Sequence, residues 1–66
     1  MTLEQMRYVV AISQYGSITA AAESLFMAQP SLSRAVKELE QELGITVLER
    51  SRRGTSFTAE GLKLLE

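Results

Sequence analysis

Two short segments of the sequence collect the side chains best suited to hold an anion. The first, residues 29–37, has two charged side chains, both positive, and its polar or charged members are Gln29, Ser31, Ser33, Arg34 and Lys37. The second, residues 50–53, carries Arg50, Arg52 and Arg53. Glutamine and arginine can each pair two hydrogen bonds with the edge of a base, and basic side chains neutralise phosphates. These residues predict a nucleic-acid partner, although the net charge of −1 argues weakly against one.

The chain has few of the side chains that enzymes use for catalysis. It has no histidine and no cysteine, which removes the usual general base, the commonest metal ligand and any thiolate site. Glu38, Glu40 and Glu42 are spaced as a solvated flank of one helix, and so short a chain leaves little room for a pocket. We therefore expect no enzyme activity, no metal and no cofactor.

Hydrophobic patterning predicts a small folded domain away from the membrane. The hydrophobic content of 45% is that of a globular chain. No apolar run approaches the roughly 18 residues that a membrane span needs, and the N-terminus lacks a signal-peptide pattern. We expect no membrane partner and a cytoplasmic location.

The first polar segment must lie on a helix, which we predict from Ala28 to Leu43. With about 100° per residue, its apolar stripe is Leu32, Val36, Leu39 and Leu43, and Pro30, Arg34, Lys37 and Gln41 face the other way. Pro30 suits a first helical turn, and Gln29 and Ser31 lie among backbone N–H groups that favour a phosphate. An ordinary solvated surface helix is the alternative, and the flanking segments must decide.

Two helices precede this one. The first is predicted over residues 3–15, with a capping box from Thr2 and Gln5 and a stop at Gly16. Its apolar residues lie on both sides, so we expect a second helix to cover the outer one. The apolar residues of this first helix are Leu3, Met6 and Val10 on one face and Tyr8, Ile12 and Tyr15 on the other. We take Tyr8 and Tyr15 as packing residues and not as binding residues.

The second helix is short and makes the layout of a helix-turn-helix, about residues 18–37, with the helix that follows it. Ser17 or Thr19 can cap it. Its core candidates are Ile18, Ala21, Ala22 and Leu25, and Phe26 in the connection is expected in the core because no second aromatic accompanies it.

The spacing of apolar residues changes from a helical to a strand-like period after Gly44. A small hairpin is predicted, about 47–50 against 55–57, with Arg52 and Arg53 at its tip. Beside a helix-turn-helix such a hairpin is a wing, about residues 46–57, whose arginines favour a narrow minor groove; a solvated loop is the alternative. Thr58 then caps a last helix that carries Leu62, Leu64 and Leu65.

In this order, four segments resemble the N-terminal DNA-binding domain of the LysR-type transcriptional regulators. They are GSITAAAESL (16–25), AQPSLSRAVKELEQELG (28–44), LERSRRG (48–54) and FTAEG (57–61). The resemblance implies a mostly α fold, a winged helix-turn-helix of three helices with a small two-stranded β wing, over residues 1–58. It implies that residues 59–66 begin a linker helix, here truncated, that pairs two subunits.

The resemblance also assigns roles to individual residues. Gln29, Pro30, Ser33 and Arg34 match positions that approach bases and phosphates in the major groove, and Arg53 matches the wing residue at the minor groove. Ser17 and Thr19 match hydroxyls near the DNA backbone, and Arg50 serves the wing or a phosphate. The expected DNA-binding set adds residues chosen from their own chemistry and leaves Arg50 out. It is Ser17, Thr19, Gln29, Pro30, Ser31, Ser33, Arg34, Lys37, Arg52 and Arg53.

The sequence departs from the family pattern at four positions, which bear on the strength and sequence preference of binding. Ala28 replaces a frequent capping serine or threonine, Ala20 a longer polar residue, Leu48 a phenylalanine of the wing core and Arg52 a glycine.

The expected partners are double-stranded DNA with an inverted-repeat site and a second copy of the chain, as a homodimer or homotetramer through the linker helix. No small-molecule effector site is expected within these residues. The runner-up function is a helical protein-interaction module, but such a module has no reason to segregate positive charge to one helix start and one turn.

Overall fold

Four helices and one two-stranded antiparallel sheet make up the computed structural model, which describes residues 2–51 and 54–65. In chain order the elements are α1 (Leu3–Tyr15), α2 (Ile18–Ser24), α3 (Gln29–Leu43), β1 (Leu48–Ser51), β2 (Gly54–Phe57) and α4 (Ala59–Leu64). The first three helices pack on one another, and α4 contacts β2. This mostly helical architecture with a small sheet is the one the sequence predicts.

Local capping chemistry fixes the helix boundaries. The Gln5 N–H donates to Thr2 Oγ1 over 3.1 Å while the Thr2 N–H donates to Gln5 Oε1 over 2.9 Å, so the predicted capping box is present. Gly16 ends α1 in the left-handed region, with φ of 74°. Of the two predicted caps for α2, Ser17 is the one used, since its Oγ accepts from the Ala20 N–H over 3.0 Å.

The core lies where α1, α2 and α3 meet and extends beneath the start of the hairpin. Its buried apolar side chains are Val9, Ala11, Ile12, Ile18, Ala21, Ala22, Leu32, Val36, Leu39, Val47 and Leu48. Small residues of α2 allow its neighbours to come close. The predicted core positions of α2 and most of the stripe on α3 are therefore confirmed, with Leu25 only partly buried.

Two predicted core residues are on the surface instead. Phe26 is 97% exposed because the turn between α2 and α3 bends there through a left-handed backbone, with φ of 56°, and the half-buried Met27 occupies the inward position. Leu43 is 38% exposed, and it is the last residue of α3, directly before the Gly44 cap. Both predictions equated an apolar side chain with a buried one.

The outer face of α1 is open in the single chain. Leu3 and Val10 on this face are exposed, and so is Tyr15, which was expected to pack, while Tyr8 packs partly against the core. A second helix covering the outer face therefore stays a prediction.

The hairpin is one residue longer than predicted at each inner end. Leu48 pairs with Phe57 and Ser51 with Gly54, so the strands continue to the two residues on either side of Arg52 and Arg53. Those two arginines lie outside the described residues. At the base of the hairpin Leu48 is buried, which places this departure from the family's phenylalanine within the wing core.

The start of α4 is locked to the segment that enters β1. Thr58 is buried, its N–H donates to the Val47 carbonyl oxygen over 3.0 Å, and its hydroxyl donates to the Thr46 carbonyl oxygen. The same Oγ1 accepts from the Gly61 N–H over 3.0 Å, which confirms the predicted cap. Gly61 is needed for space, since a Cβ there would overlap the Val47 carbonyl oxygen and lie 3.1 Å from the Phe57 ring.

Replacing Gly61 by alanine should destabilise the domain. The methyl group would meet a backbone oxygen that cannot rotate away, and overpacking of this kind costs about 1–3 kcal/mol. Urea unfolding followed by circular dichroism measures the loss. Glu60→Ala, an exposed site in the same helix, serves as the control, and equal stability of the two variants would mean that α4 does not approach Val47 this closely.

Candidate nucleic-acid interface

The polar side of α3 forms one open groove at the helix's first half. Gln29, Pro30, Ser33, Arg34 and Lys37 line it, and all are exposed except the half-buried Ser33. The apolar stripe on the opposite side holds the helix in the core through Leu32, Val36 and Leu39. Because one helix carries both faces, burial of the stripe presents the predicted reading residues to solvent.

The amino end of α3 suits a negatively charged group. Ala28 occupies the cap position without a side-chain hydrogen bond, and Pro30 lies in the first turn. Backbone N–H groups and the dipole of this 15-residue helix favour an anion at this end. Ser31 is exposed nearby but borders a second groove, toward α1, together with Arg34 and Glu38.

Three elements meet in a third groove at the start of α3. Ser17, which caps α2, Thr19 of α2, Gln29 of α3 and Gly54 and Thr55 of β2 line it. The hydroxyl oxygen of Ser17 accepts from Ala20, which leaves its O–H able to donate to a phosphate. The two hydroxyl side chains expected near the DNA backbone, Ser17 and Thr19, therefore lie beside the end of α3 that is expected to read bases.

The wing lies on the same side of the molecule as that reading end. Gly54 and Thr55 share a groove with Gln29, and Ser51 pairs with Gly54 across the hairpin. Arg52 and Arg53, which the sequence assigns to the DNA-binding set, fall outside the described residues. The described part of the wing thus has the orientation that the predicted interface requires.

One residue of this region was misjudged from the sequence. Glu40 was expected on a solvated flank, but it is half-buried and its Oε2 accepts from the N–H groups of Val47, over 2.7 Å, and Leu48, over 3.1 Å. Buried N–H groups without an acceptor cost about 1–3 kcal/mol each, so this carboxylate supports the base of the wing. Helical spacing places Glu40 beside Val36, next to the core stripe, and that is the signal that could have separated it from Glu38.

Residues 3–62 match the family described as "Bacterial regulatory helix-turn-helix protein, lysR family". The chain belongs to the LysR family. It is a LysR-type helix-turn-helix DNA-binding domain. Among the residues that the structure describes, none of the helices has the length and apolar character of a membrane span.

Transcriptional regulators resemble the LysR-type domain over most or all of its length. The HTH-type transcriptional regulator ClcR of Pseudomonas putida is 42% identical over 66 residues, which is 100% of this chain and 22% of the relative. BenM of Acinetobacter baylyi is 49% identical over 61 residues, or 92% of this chain and 20% of BenM. The chain therefore spans about a fifth of the length of these relatives.

Solved structures give the same fold. The CbnR DBD–DNA complex has a TM-score of 0.92 at 40% identity, covering 98% of this chain and 75% of that one. The BenM DBD bound to benA site 1 DNA has a TM-score of 0.91 at 46% identity, covering 98% of this chain and 73% of that one. The winged helix-turn-helix expectation is confirmed.

Proposed function

We propose that the LysR-type domain binds duplex DNA in a sequence-specific way, with the start of α3 in the major groove and the wing at the adjacent minor groove. The observation that carries this proposal is the groove shared by α2, Gln29 and the wing, with Arg34 and Lys37 exposed along the same helix. Phosphate contacts from Ser17, Thr19, Ser31, Lys37, Arg52 and Arg53 would fix the position on DNA, and Gln29, Pro30, Ser33 and Arg34 would approach the bases.

At the level of the whole protein, we infer a bacterial transcription regulator that acts in the cytoplasm and has no enzymatic role. Support comes from relatives named as transcriptional regulators. Residues 1–58 would form the DNA-binding unit and 59–66 the start of the linker helix. Leu62 in α4 is 57% exposed, so it is available for pairing with a second copy, and a two-fold dimer or tetramer would require an inverted-repeat site.

Selection from random duplex DNA, followed by titration at several salt concentrations, tests the proposal. If Lys37, Arg52 and Arg53 each neutralise one phosphate, and Arg34 neutralises a fourth in addition to approaching a base, log K should fall with log salt at a slope of about −3 to −4 per chain. A helical protein-interaction module would enrich no sequence and would show a flat salt response toward DNA. That result would contradict the proposal.

Replacing Arg53 by alanine should flatten the salt slope by about one unit, because one phosphate neutralisation is lost. The control is Arg7→Ala, which removes the same charge from the exposed outer face of α1 and should leave the slope unchanged. Filter binding or fluorescence anisotropy at four or more salt concentrations gives both slopes. Identical slopes for the two variants would remove Arg53 from the interface.

A further inference from the structure

Glu40 joins α3 to the wing through both its side chain and its backbone. Its Oε2 accepts from the Val47 and Leu48 N–H groups over 2.7 and 3.1 Å. Its carbonyl oxygen accepts from the Gly44 N–H over 2.8 Å and the Ile45 N–H over 3.2 Å. One residue of α3 therefore hydrogen-bonds four of the five residues from Gly44, at the end of the helix, to Leu48, the first residue of β1.

The connection is held from its other side by α4. The Val47 carbonyl oxygen accepts from the Thr58 N–H over 3.0 Å, so the two polar groups of Val47 bind Glu40 of α3 and the residue that caps α4. Val47 itself is fully buried. A carboxylate oxygen that accepts two N–H groups makes charge-assisted bonds, which are stronger than neutral ones. The base of the wing is thus pinned between α3 and α4 and cannot shift without breaking one set of bonds.

We propose that Glu40 is a positioning residue for DNA binding, which sets the wing at the distance from α3 that lets both reach one face of a duplex. This role rests on the proposed function. The carboxylate lies in the second half of α3, six residues beyond Arg34, and the hydrogen bonds of its Oε2 go to Val47 and Leu48, which are not in the expected DNA-binding set. It acts through Val47 and Leu48, which carry the hairpin whose far end lies beside Gln29.

Two variants and one control separate this role from general stabilisation. Glu40→Ala removes both hydrogen bonds, and Glu40→Gln keeps the volume and one acceptor oxygen but loses the charge. Glu38→Ala removes the same charge from an exposed site on the same helix. In the free chain, amide hydrogen exchange at Val47 and Leu48 should quicken at least about tenfold in Glu40→Ala, less in Glu40→Gln and not at all in Glu38→Ala.

Footprinting on a selected duplex gives the readout that a purely structural role would not move. Hydroxyl-radical cleavage reports the minor groove beside the site, and guanine methylation reports the major groove. In the Glu40 variants we expect minor-groove protection to be lost at protein concentrations that still protect the major groove, with the selected base preference unchanged. If Glu40→Ala unfolds, Glu40→Gln carries the same test.

Three results would overturn the proposal. One is normal exchange at Val47 and Leu48 in Glu40→Ala, which would remove the tether. Another is a parallel loss of both protections in both variants, which would leave Glu40 a stabilising residue only. Absence of any footprint with the unsubstituted chain would instead overturn the proposed function, and with it the role of Glu40 in DNA binding. The exchange rates in the free chain would still show whether Glu40 holds Val47 and Leu48 in place.

Discussion

Replacing Leu39 by alanine should lower the free energy of unfolding by about 2–5 kcal/mol. Leu39 is 0% exposed and lies at the centre of the stripe by which α3 is held in the core. A chain of this size has a total stability of about 3–10 kcal/mol, so the loss is a large fraction of the total and the melting temperature should fall clearly. Thermal and urea unfolding followed by circular dichroism measure the loss.

Leu43→Ala provides the matched control within the same helix. It removes the same atoms one turn later, where the side chain is already partly in solvent, and should cost less than about 1 kcal/mol. Equal losses from the two substitutions would show that the core extends through the last turn of α3, as the periodicity alone predicted.

Replacing Arg34 by alanine should weaken binding to a selected duplex by about 1–3 kcal/mol. At 1.4 kcal/mol per factor of ten, this is about a 5- to 150-fold rise in Kd. Arg34 is exposed in the groove that also contains Gln29, and its loss should relax the preference at one base position. Competition titrations against duplexes that vary at each position measure both effects.

Gln41→Ala is the control for this experiment. Gln41 is exposed further along the same helix, outside the groove around Gln29, and its substitution should leave both affinity and preference unchanged. Should Arg34→Ala weaken every duplex to the same extent, Arg34 would be a phosphate contact and no reader of bases.

Features governed by nearest neighbours were predictable from the sequence. The capping box of α1, the glycine stop after it and the threonine cap of α4 each follow from interactions within a few residues. The exposed basic side of α3 followed from the helical period once its opposite stripe was taken as core. The prediction of the helix-turn-helix and of the wing combined these local rules.

Features set by contacts between distant segments were not predictable in this way. Glu40 has the sequence context of a solvated acid, and its two backbone donors come from seven and eight residues further along. Gly61 looks like a weak point in a helix until the Val47 carbonyl is placed against it. The exposure of Phe26 depends on a left-handed backbone conformation at that residue. This conformation is favoured by glycine or asparagine over phenylalanine, so there was no reason to expect it there from the sequence.

The most direct measurement is a titration of the ¹⁵N-labelled chain with a selected duplex, following each backbone amide by NMR. The account predicts the largest shift changes at residues 17–19, 29–37 and 54–55, where α2, α3 and the wing share one face. Changes confined to the outer face of α1 around Val10, or to α4, with the start of α3 undisturbed, would contradict it.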